Sequence, residues 1–470
     1  MMRSSSFFKV FMLILLLFSS SITIKAAETQ QQTQPSDPVE TAQQTTQPNA
    51  VDKNSIKGNQ EVSASVTSVA TDVMENFDVD KATQAYIDRL DKDQLQQSNA
   101  YFEGGYWLQL WNFLFGILVA YLLLQTGLSQ KMKHLSEKIT RFQFIQNIFY
   151  LVQYILIVSI VSFPLTWYQG FYREHQYDLS NLVLGDWMGE QLKGLMLSLI
   201  FVSIFVSIIY VVVRKAAKTW AVWGSVISII FIAFMAMIGP VYISPLFNDY
   251  KALDDGPVKT EILKMARENS VPADNVYQFD ASKQSKRISA NVSGMFGTLR
   301  VSLNDNLLNR SDPATIKGVM GHELGHYVLN HGMKFLISFS IVMVLAFAFL
   351  KWGFRRFNRE SWGIQNEGDI AGFPLAMAVL SVYFFLMTPV TNTIIRTSET
   401  EADMFGLNTS REPEGFAEGI FSLSEYRKMK PGYWEEVIFY DHPSGYNRIH
   451  AAMQWKKENP GVGKHFSNHK

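Results

Sequence analysis

The sequence predicts a mainly α-helical, polytopic membrane protein that carries a smaller α+β portion outside its spanning helices. Apolar residues make up 47% of the 470 residues, and they are concentrated in long runs rather than spread evenly. Such a run can supply the roughly 20 residues that a helix needs to cross a bilayer. The segment between the fourth and fifth runs is polar and mixes helix-like with strand-like patterns. These observations favour about six spanning helices and a water-facing α+β portion.

Six apolar runs are the basis for the predicted spanning helices. Because they contain almost no charged residues, buried helices of a water-soluble protein are a poor alternative. The runs cover residues 106–124, 148–167, 195–213, 220–242, 335–354 and 373–395. Each run predicts one crossing of the bilayer.

The amino-terminal residues 1–27 have the features of a signal peptide. Arg3 and Lys9 give a positive start, an apolar core follows over residues 10–18, and small residues complete the segment. An uncleaved signal anchor is the alternative. Residues 28–70 are rich in Gln, Thr, Ser and Pro, which predicts a disordered linker.

Lysine and arginine are distributed unevenly among the loops. The loops at 131–141, 214–218 and 351–359 are basic, whereas the loop after the second apolar run contains several acidic residues. Basic loops tend to remain on the cytoplasmic side of a membrane. An exported amino terminus predicts the same orientation. Residues 244–333 and 397–470 are therefore expected on the extracytoplasmic side.

The overall composition excludes several classes of function. The formal net charge is zero, which argues against nucleic-acid binding because that needs a basic surface. The chain has no cysteine, so it has no thiolate nucleophile and no cysteine ligand for a metal. Any zinc ion must therefore be bound by histidine and carboxylate side chains.

These patterns divide the chain into six parts. They are a signal peptide at 1–27, a linker at 28–70, a helical lead-in with the first four spanning helices at 71–247, an insert at 248–333, the last two spanning helices at 334–396, and a C-terminal portion at 397–470. Finer patterns predict helices over 85–101, 258–269 and 313–331, and strands over 276–279 and 298–303.

The insert contains the pentapeptide HELGH, in which His322 and His326 are four residues apart. On a helix, residues four apart lie on the same face. Both imidazoles can therefore bind one zinc ion, and Glu323 can act as a general base on water. Two surface histidines on an ordinary helix are the alternative. The motif predicts a metal-dependent hydrolase whose catalytic portion is a zincin-like α+β fold.

A third protein ligand must come from another part of the chain, because a hydrolytic zinc site uses three protein ligands and one open position. The best candidate follows the sixth apolar run, where Glu399 and Asp403 are four residues apart and share a helix face. Asp403 would support the site from behind. Spacing alone leaves Glu401 as an alternative third ligand.

Several stretches, taken in order, resemble the CAAX prenyl protease type 1 family, a group of integral-membrane zinc metalloproteases of the gluzincin kind. They are Asp280–Leu308, HELGHYVLNH at 322–331, Arg396-x-x-Glu399-x-x-Ala402-Asp403, and His442-Pro443 followed by Arg448-Ile449. The resemblance covers residues 80–455 and excludes the signal peptide and the linker.

The resemblance implies a chamber enclosed by the spanning helices, with one zinc ion at its wall. It also assigns the residues of the site. These are the zinc ligands His322, His326 and Glu399, the general base Glu323, the catalytic or substrate-binding groups His442 and Arg448, and the supporting residues Asp403 and Asn291.

Some roles have alternatives. His442 or Arg448 is expected to donate a hydrogen bond to the developing oxyanion. His442 can instead be structural, and Arg448 can instead be a partner for Asp403. The strand near Arg300 is expected to bind peptide by edge pairing. His331 is expected to cap the C-terminus of the motif helix.

Residues and resemblance together predict a membrane-embedded zinc metalloendopeptidase that acts on peptide or protein substrates, contacts the lipid bilayer and binds no nucleic acid. The alternatives are a heat-shock-type membrane quality-control metalloprotease, and a zinc-binding transporter or receptor without hydrolytic activity. The signal peptide predicts a bacterial inner membrane and an active site on the periplasmic side, where prenylated substrates are not expected. The oligomeric state stays open.

Overall fold

The computed structural model describes residues 76–293 and 299–462. The predicted signal peptide and linker lie outside the described residues. The α-helices are α1 Val79–Ile87, α2 Lys92–Gln125, α3 Leu128–Ile139, α4 Gln143–Trp167, α5 Arg173–Gln176, α6 Leu184–Lys215, α7 Trp220–Ile238, α8 Pro257–Glu268, α9 Asp305–Arg310, α10 Pro313–Val328, α11 His331–Phe357, α12 Phe373–Ser410, α13 Pro413–Phe421, α14 Tyr433–Phe439 and α15 Gly445–Glu458. The strands are β1 Tyr250–Ala252, β2 Val276–Phe279, β3 Ala290–Ser293 and β4 Arg300–Asn304.

Six helices within the described residues are long and apolar enough to cross a membrane, which confirms the predicted number. They are α2, α4, α6, α7, α11 and α12, and two of them continue beyond their α-helical ends. A π-helical turn at Tyr168–Tyr172 joins α4 to α5, and a second π-helical turn at Gly239–Ile243 follows α7. The helices α2, α4, α6 and α11 begin before the apolar runs that predicted them, because polar residues extend these helices beyond the apolar segments. The helices α7 and α12 begin where their runs begin, at residues 220 and 373.

The predicted lead-in helix over 85–101 is two helices in the structure. The break lies between α1 and α2, where Asp91 accepts a hydrogen bond from the backbone N–H of Gln94, and Gln94 accepts one from the backbone N–H of Asp91. This reciprocal cap starts a new helix because it satisfies two amide groups that have no partner inside the helix. From there α2 runs without interruption from the lead-in into the first spanning segment.

The three basic loops meet at one end of the helix bundle. The contacts that join them to each other and to the segment before α12 are Gln130 Nε2 to Gly363 O, Lys133 Nζ to Asp369 Oδ1, and Lys351 Nζ to Lys218 O, each at 2.9 Å. The catalytic portion lies at the other end, where Lys428 Nζ is 2.6 Å from Glu103 Oε1 near the start of α2. The basic loops and the HELGH motif are therefore at opposite ends of the bundle.

A four-stranded sheet with strand order β1-β2-β4-β3 lies in the catalytic portion. β2 and β4 are parallel, with Val276 opposite Val301, and the two outer pairs are antiparallel. β4 is therefore internal, paired on both sides. Among the described strands, β1 and β3 form the edges of the sheet, and β3 packs beside α10.

Two large apolar cores lie within the described residues. One lies among the spanning helices and includes Tyr150, Val206 and Ala346, and the other lies around the sheet and α10 and includes Leu303 and Met320. A largely apolar cavity lies between α6, α7, α11 and α12. The helix α12 belongs to both cores, so it links the membrane helices to the catalytic portion.

Candidate metal centre

The helix α10 carries the HELGH motif, and its start and end follow from local sequence. Asp312 accepts a hydrogen bond from the backbone N–H of Thr315 at 2.7 Å, and Pro313 occupies the first turn. The helix ends at Val328, and Asn330 adopts a left-handed conformation with φ 54°. His331 then begins α11. The expectation that His331 caps α10 is wrong, because the chain changes direction at Asn330.

The helix α12 carries Glu399 and Asp403, and it passes unusually close to α10. A Cβ atom on Gly406 would lie 2.7 Å from the backbone nitrogen of His322, and one on Gly321 would lie 2.9 Å from Gly406 O. Only glycine permits this approach of two backbones. The last spanning helix thus continues past residue 396 and brings its carboxylates to the HELGH motif.

The histidines and Glu399 form a compact triangle of donor atoms. His322 Nε2 lies 3.0 Å from His326 Nε2 and 3.2 Å from Glu399 Oε2, and His326 Nε2 lies 3.5 Å from Glu399 Oε1. His322 and Glu399 are fully buried. The structure therefore brings together the three residues that the sequence and the resemblance suggested as metal ligands.

This donor set fits a zinc ion. Zinc–ligand distances of about 2.0–2.1 Å place tetrahedral ligands about 3.3–3.4 Å apart, close to the observed separations. Both carboxylate oxygens of Glu399 are buried and have no hydrogen-bond partner in the described part of the chain. The nearby histidine nitrogens do not point along hydrogen-bond directions. A buried carboxylate in this state is costly unless a cation accompanies it.

The remaining ring nitrogen of His322 is held by a second carboxylate. His322 Nδ1 lies 2.7 Å from Asp403 Oδ1, and Arg448 Nε donates to Asp403 Oδ2 at 2.8 Å. A second guanidinium nitrogen of Arg448 contacts Asp403 Oδ1. All three side chains are buried. The arrangement keeps the Nε2 lone pair of His322 directed toward the triangle.

Burial and neighbouring charges set the ionisation of the motif residues. Burial raises the pKa of Glu323 to about 7, outweighing the opposite effect of His322. Burial also lowers the pKa of His326 to about 3, which leaves a neutral imidazole. For His322 burial opposes the charge, but the carboxylates of Asp403 and Glu399 outweigh it and raise the pKa to about 9. A cation in the triangle competes with that proton for the same nitrogen.

His442 reaches the site from the loop before α15. It is buried, its Nδ1 lies 2.6 Å from Asp441 Oδ1, and its Nε2 lies 3.2 Å from Glu399 Oε2. Burial opposes the charge on this ring, but Asp441 and Glu399 outweigh it and raise the pKa of His442. Its Nε2 has no hydrogen-bond partner within the described residues. One ring nitrogen of His442 thus lies beside Glu399 with its hydrogen-bonding capacity unused.

Arg448 and Asn291 have positions that narrow their possible roles. The guanidinium of Arg448 contacts Asp403 behind His322, which fits the alternative that it is a partner for Asp403. Asn291 lies in β3, and its Oδ1 accepts a hydrogen bond from Ser293 Oγ at 3.0 Å. Both residues are thus near α10, but their observed hydrogen bonds are not to the three donors of the triangle.

The strand that the sequence analysis predicted for peptide binding has no free edge in the structure. The prediction placed substrate on the strand near Arg300, which is β4, and that strand is already paired with β2 and β3. The prediction is wrong because an internal strand has no free edge. In the described sheet the strand with an open edge beside α10 is β3.

Sequence reasoning did not anticipate two features of the site. The close pair Gly321 and Gly406 brings the helices together, although isolated glycines in helical segments are a weak signal. His331 and Glu401 contact one another behind His326. Glu401, the second glutamate of the sequence SETEAD, therefore lies outside the triangle and contacts His331.

A bundle of spanning helices whose last member carries a carboxylate to an HELGH helix defines an integral-membrane metalloprotease. The model described as "Peptidase family M48" matches residues 252–456, and that described as "CAAX prenyl protease N-terminal, five membrane helices" matches residues 76–249. Residues 252–456 therefore match peptidase family M48, and the two matched segments together have the two-part organisation of CAAX prenyl proteases. Residues 76–249 contain four of the candidate membrane-spanning helices.

Known proteins with similar sequences or structures include metalloproteases and CAAX prenyl proteases. The "Uncharacterized metalloprotease YhfN" of Bacillus subtilis (strain 168) is 29% identical over 359 residues, covering 74% of this chain and 84% of that protein. The "CAAX prenyl protease 1 homolog" of Oryza sativa subsp. japonica is 26% identical over 313 residues, covering 64% and 72%. The crystal structure of S. mikatae Ste24p shares the fold, with TM-score 0.68 at 20% identity over 83% of this chain and 96% of that one.

The family and the fold together confirm a membrane-embedded zinc metallopeptidase acting on peptides or proteins. A transporter or receptor without hydrolytic activity is therefore the weaker alternative. The family implies a metal ion, typically zinc, and the chain offers a His-His-Glu site for it. The protein is an integral membrane protein.

Proposed function

We propose that the protein is an endopeptidase that holds one zinc ion through His322, His326 and Glu399, and that it cleaves extended segments of protein substrates. The triangle of donor atoms, with edges of 3.0, 3.2 and 3.5 Å, is the observation that carries this proposal. The two unpartnered oxygens of Glu399 support it, because a bound cation accounts for their burial.

When bound, the zinc ion polarises the scissile carbonyl and makes water more acidic. Glu323 takes the proton from the attacking water and transfers it to the leaving amine. His442, whose Nε2 is directed into the site, donates a hydrogen bond to the developing oxyanion. Asp403 and Arg448 hold His322 in the orientation that this chemistry needs.

The substrate lies along the open edge of β3. The pairing of Ser289 O with the backbone N–H of Asn304 sets the alternation of hydrogen bonds between β3 and β4. In an antiparallel pair, bonded and non-bonded positions alternate. The backbone groups of Ala290 and Val292 are therefore directed to the free edge, where an extended peptide can pair with them. This pairing places peptide beside α10.

The enzyme resides in a bacterial inner membrane with its site on the periplasmic side. The three basic loops meet at the end of the bundle opposite the site, which supports a cytoplasmic position for those loops. The predicted signal peptide supports the same orientation. In this setting the enzyme needs no prenyl group on its substrate.

The test makes two measurements on each variant. Elemental analysis gives the zinc content, and mass spectrometry follows the proteolysis of an unstructured protein. Glu323→Gln should keep zinc, and its cleavage rate should fall about 10²- to 10⁴-fold, because the substitution removes the general base. Glu399→Ala should lose zinc, and Glu401→Ala should keep it when zinc is in excess. The third ligand is misassigned if Glu401→Ala is the variant that loses its metal. Full proteolysis by Glu323→Gln would exclude the proposed mechanism.

A further inference from the structure

His331 and Glu401 form a connected pair on the far side of His326. His326 directs its Nε2 to the triangle, so its Nδ1 is the nitrogen that remains. That Nδ1 lies 2.9 Å from His331 Nδ1, and His331 Nε2 lies 2.9 Å from Glu401 Oε2. Lys334 contacts the same carboxylate oxygen. A continuous line of contacts thus runs from the site to Lys334.

The direction of the protons along this line follows from chemistry. A ligand nitrogen must present a lone pair, so His326 keeps its proton on Nδ1. The two Nδ1 atoms are at hydrogen-bond distance, and therefore His331 Nδ1 must accept. A neutral His331 then carries its own proton on Nε2, which donates to Glu401. Only one arrangement of protons satisfies all three contacts.

We propose that His331 and Glu401 are positioning residues that fix the tautomer and ring orientation of His326, and so raise the affinity of the site for zinc. The proposal rests on the proposed metal site. Glu401 acts through His331, and neither residue touches the metal. Protein groups that hold the outer nitrogen of a ligating histidine typically change metal affinity about 10- to 100-fold.

The two histidine ligands are supported in different ways. Asp403 contacts His322 directly, whereas Glu401 reaches His326 only through the ring of His331. The inserted ring is needed because Glu401 lies on a different face of α12 from Glu399 and Asp403. The left-handed residue Asn330 turns the chain so that α11 begins with His331 at this position.

The burial pattern agrees with a positioning role. His331 is 1% exposed, and a buried histidine of this kind requires partners for both ring nitrogens. Glu401 is 43% exposed, yet two separate side chains hold it. Its carboxylate is thus fixed at the surface end of the line, and His331 is fixed at the buried end.

The test measures zinc affinity of the detergent-purified protein by competition with a chelator. His331→Leu should weaken zinc binding about 10- to 100-fold, because it removes the acceptor for His326 Nδ1. His331→Gln should restore most of the affinity, since its amide oxygen can accept from His326 and its amide nitrogen can donate to Glu401. Glu401→Ala should weaken binding by a smaller factor than His331→Leu.

Glu418→Ala is the matched control, because Glu418 is similarly exposed and forms an ion pair with Arg89 away from the site. Its zinc affinity should equal that of the wild type. Replacement of zinc by Co²⁺ adds a spectroscopic readout, since a reoriented His326 changes the visible absorption of the bound cobalt. His331→Gln should keep the wild-type spectrum, and His331→Leu should change it.

The outcomes separate this inference from the metal site itself. If His331→Leu or Glu401→Ala binds zinc as tightly as the wild type while His326→Ala does not, the positioning role is overturned. If His331→Leu does not fold, Glu401→Ala decides the same question. If His326→Ala binds zinc as tightly as the wild type, the proposed metal site fails instead.

Discussion

His322 Nδ1 lies 2.7 Å from Asp403 Oδ1, although 81 residues separate the two in the chain. Arg448 completes the arrangement by contacting both oxygens of the same carboxylate. The three groups are buried in line behind the triangle of donors. One buried set of contacts therefore joins the first histidine of the HELGH motif, a carboxylate of the last spanning helix and an arginine of α15.

Arg448→Met should destabilise the protein strongly. The substitution leaves Asp403 buried without its cation, and breaking a buried ion pair in this way typically costs about 3–5 kcal/mol. Arg89→Met is the control, because the Arg89–Glu418 pair is exposed and such pairs contribute about 0–1 kcal/mol. Thermal and denaturant unfolding in detergent measure the stability of both variants. Equal losses of stability in the two variants would show that the buried Arg448–Asp403 pair contributes no more than the exposed Arg89–Glu418 pair.

Local spacing predicted that the two histidines share one helix face, and the structure places them so, because the i, i+4 rule depends only on helix geometry. The choice between Glu399 and Glu401 needed tertiary information. The close approach at Gly321 and Gly406 decides which face of α12 meets α10, and that contact joins segments far apart in the chain. The order of the strands is similarly non-local, which is why the sequence pattern indicated β4 and the open edge is β3.

His442→Ala should reduce kcat about 10²–10³-fold, because it removes a donor to the oxyanion. Zinc content and the unfolding temperature should remain close to those of the wild type, and KM should change little. The measurement is steady-state cleavage of a fluorogenic peptide. His450→Ala is the control, since His450 is 39% exposed and pairs with Asp80 away from the site. A near-normal kcat for His442→Ala would leave this histidine with a structural role only.

Val292→Pro should raise KM for peptide substrates. It removes the backbone N–H that is directed to the open edge of β3 but leaves the hydrogen bonds to β4 in place. One lost hydrogen bond of about 0.5–1.5 kcal/mol corresponds to roughly a 2- to 12-fold change. Asn291→Pro is the contrasting variant, because it interrupts the ladder with β4 and should lower stability. An unchanged KM for Val292→Pro would argue against edge pairing with β3.

The orientation of the protein in its membrane can be tested with single cysteines, since the natural chain has none. Ser270 lies in the catalytic portion, Lys138 lies in the first basic loop, and both are exposed. In intact cells an impermeant thiol reagent should label Ser270→Cys and should not label Lys138→Cys. Permeabilised cells should allow labelling of both. The reverse pattern in intact cells would place the metal site on the cytoplasmic side.

Extended, unmodified peptide segments should be cleaved, and the same segments inside a stable folded domain should resist. His322 and Glu399 are fully buried, so a scissile bond must enter the protein to reach them. Main-chain pairing with β3 and attack by water at the metal site require no prenyl group on the substrate. The measurement compares kcat/KM for an unmodified peptide, its farnesylated form and the segment within a folded domain. If only the farnesylated peptide is cleaved, the prenyl group is a requirement. If the folded domain is cleaved as fast as the peptide, burial of the site does not limit access, and local sequence must then determine specificity.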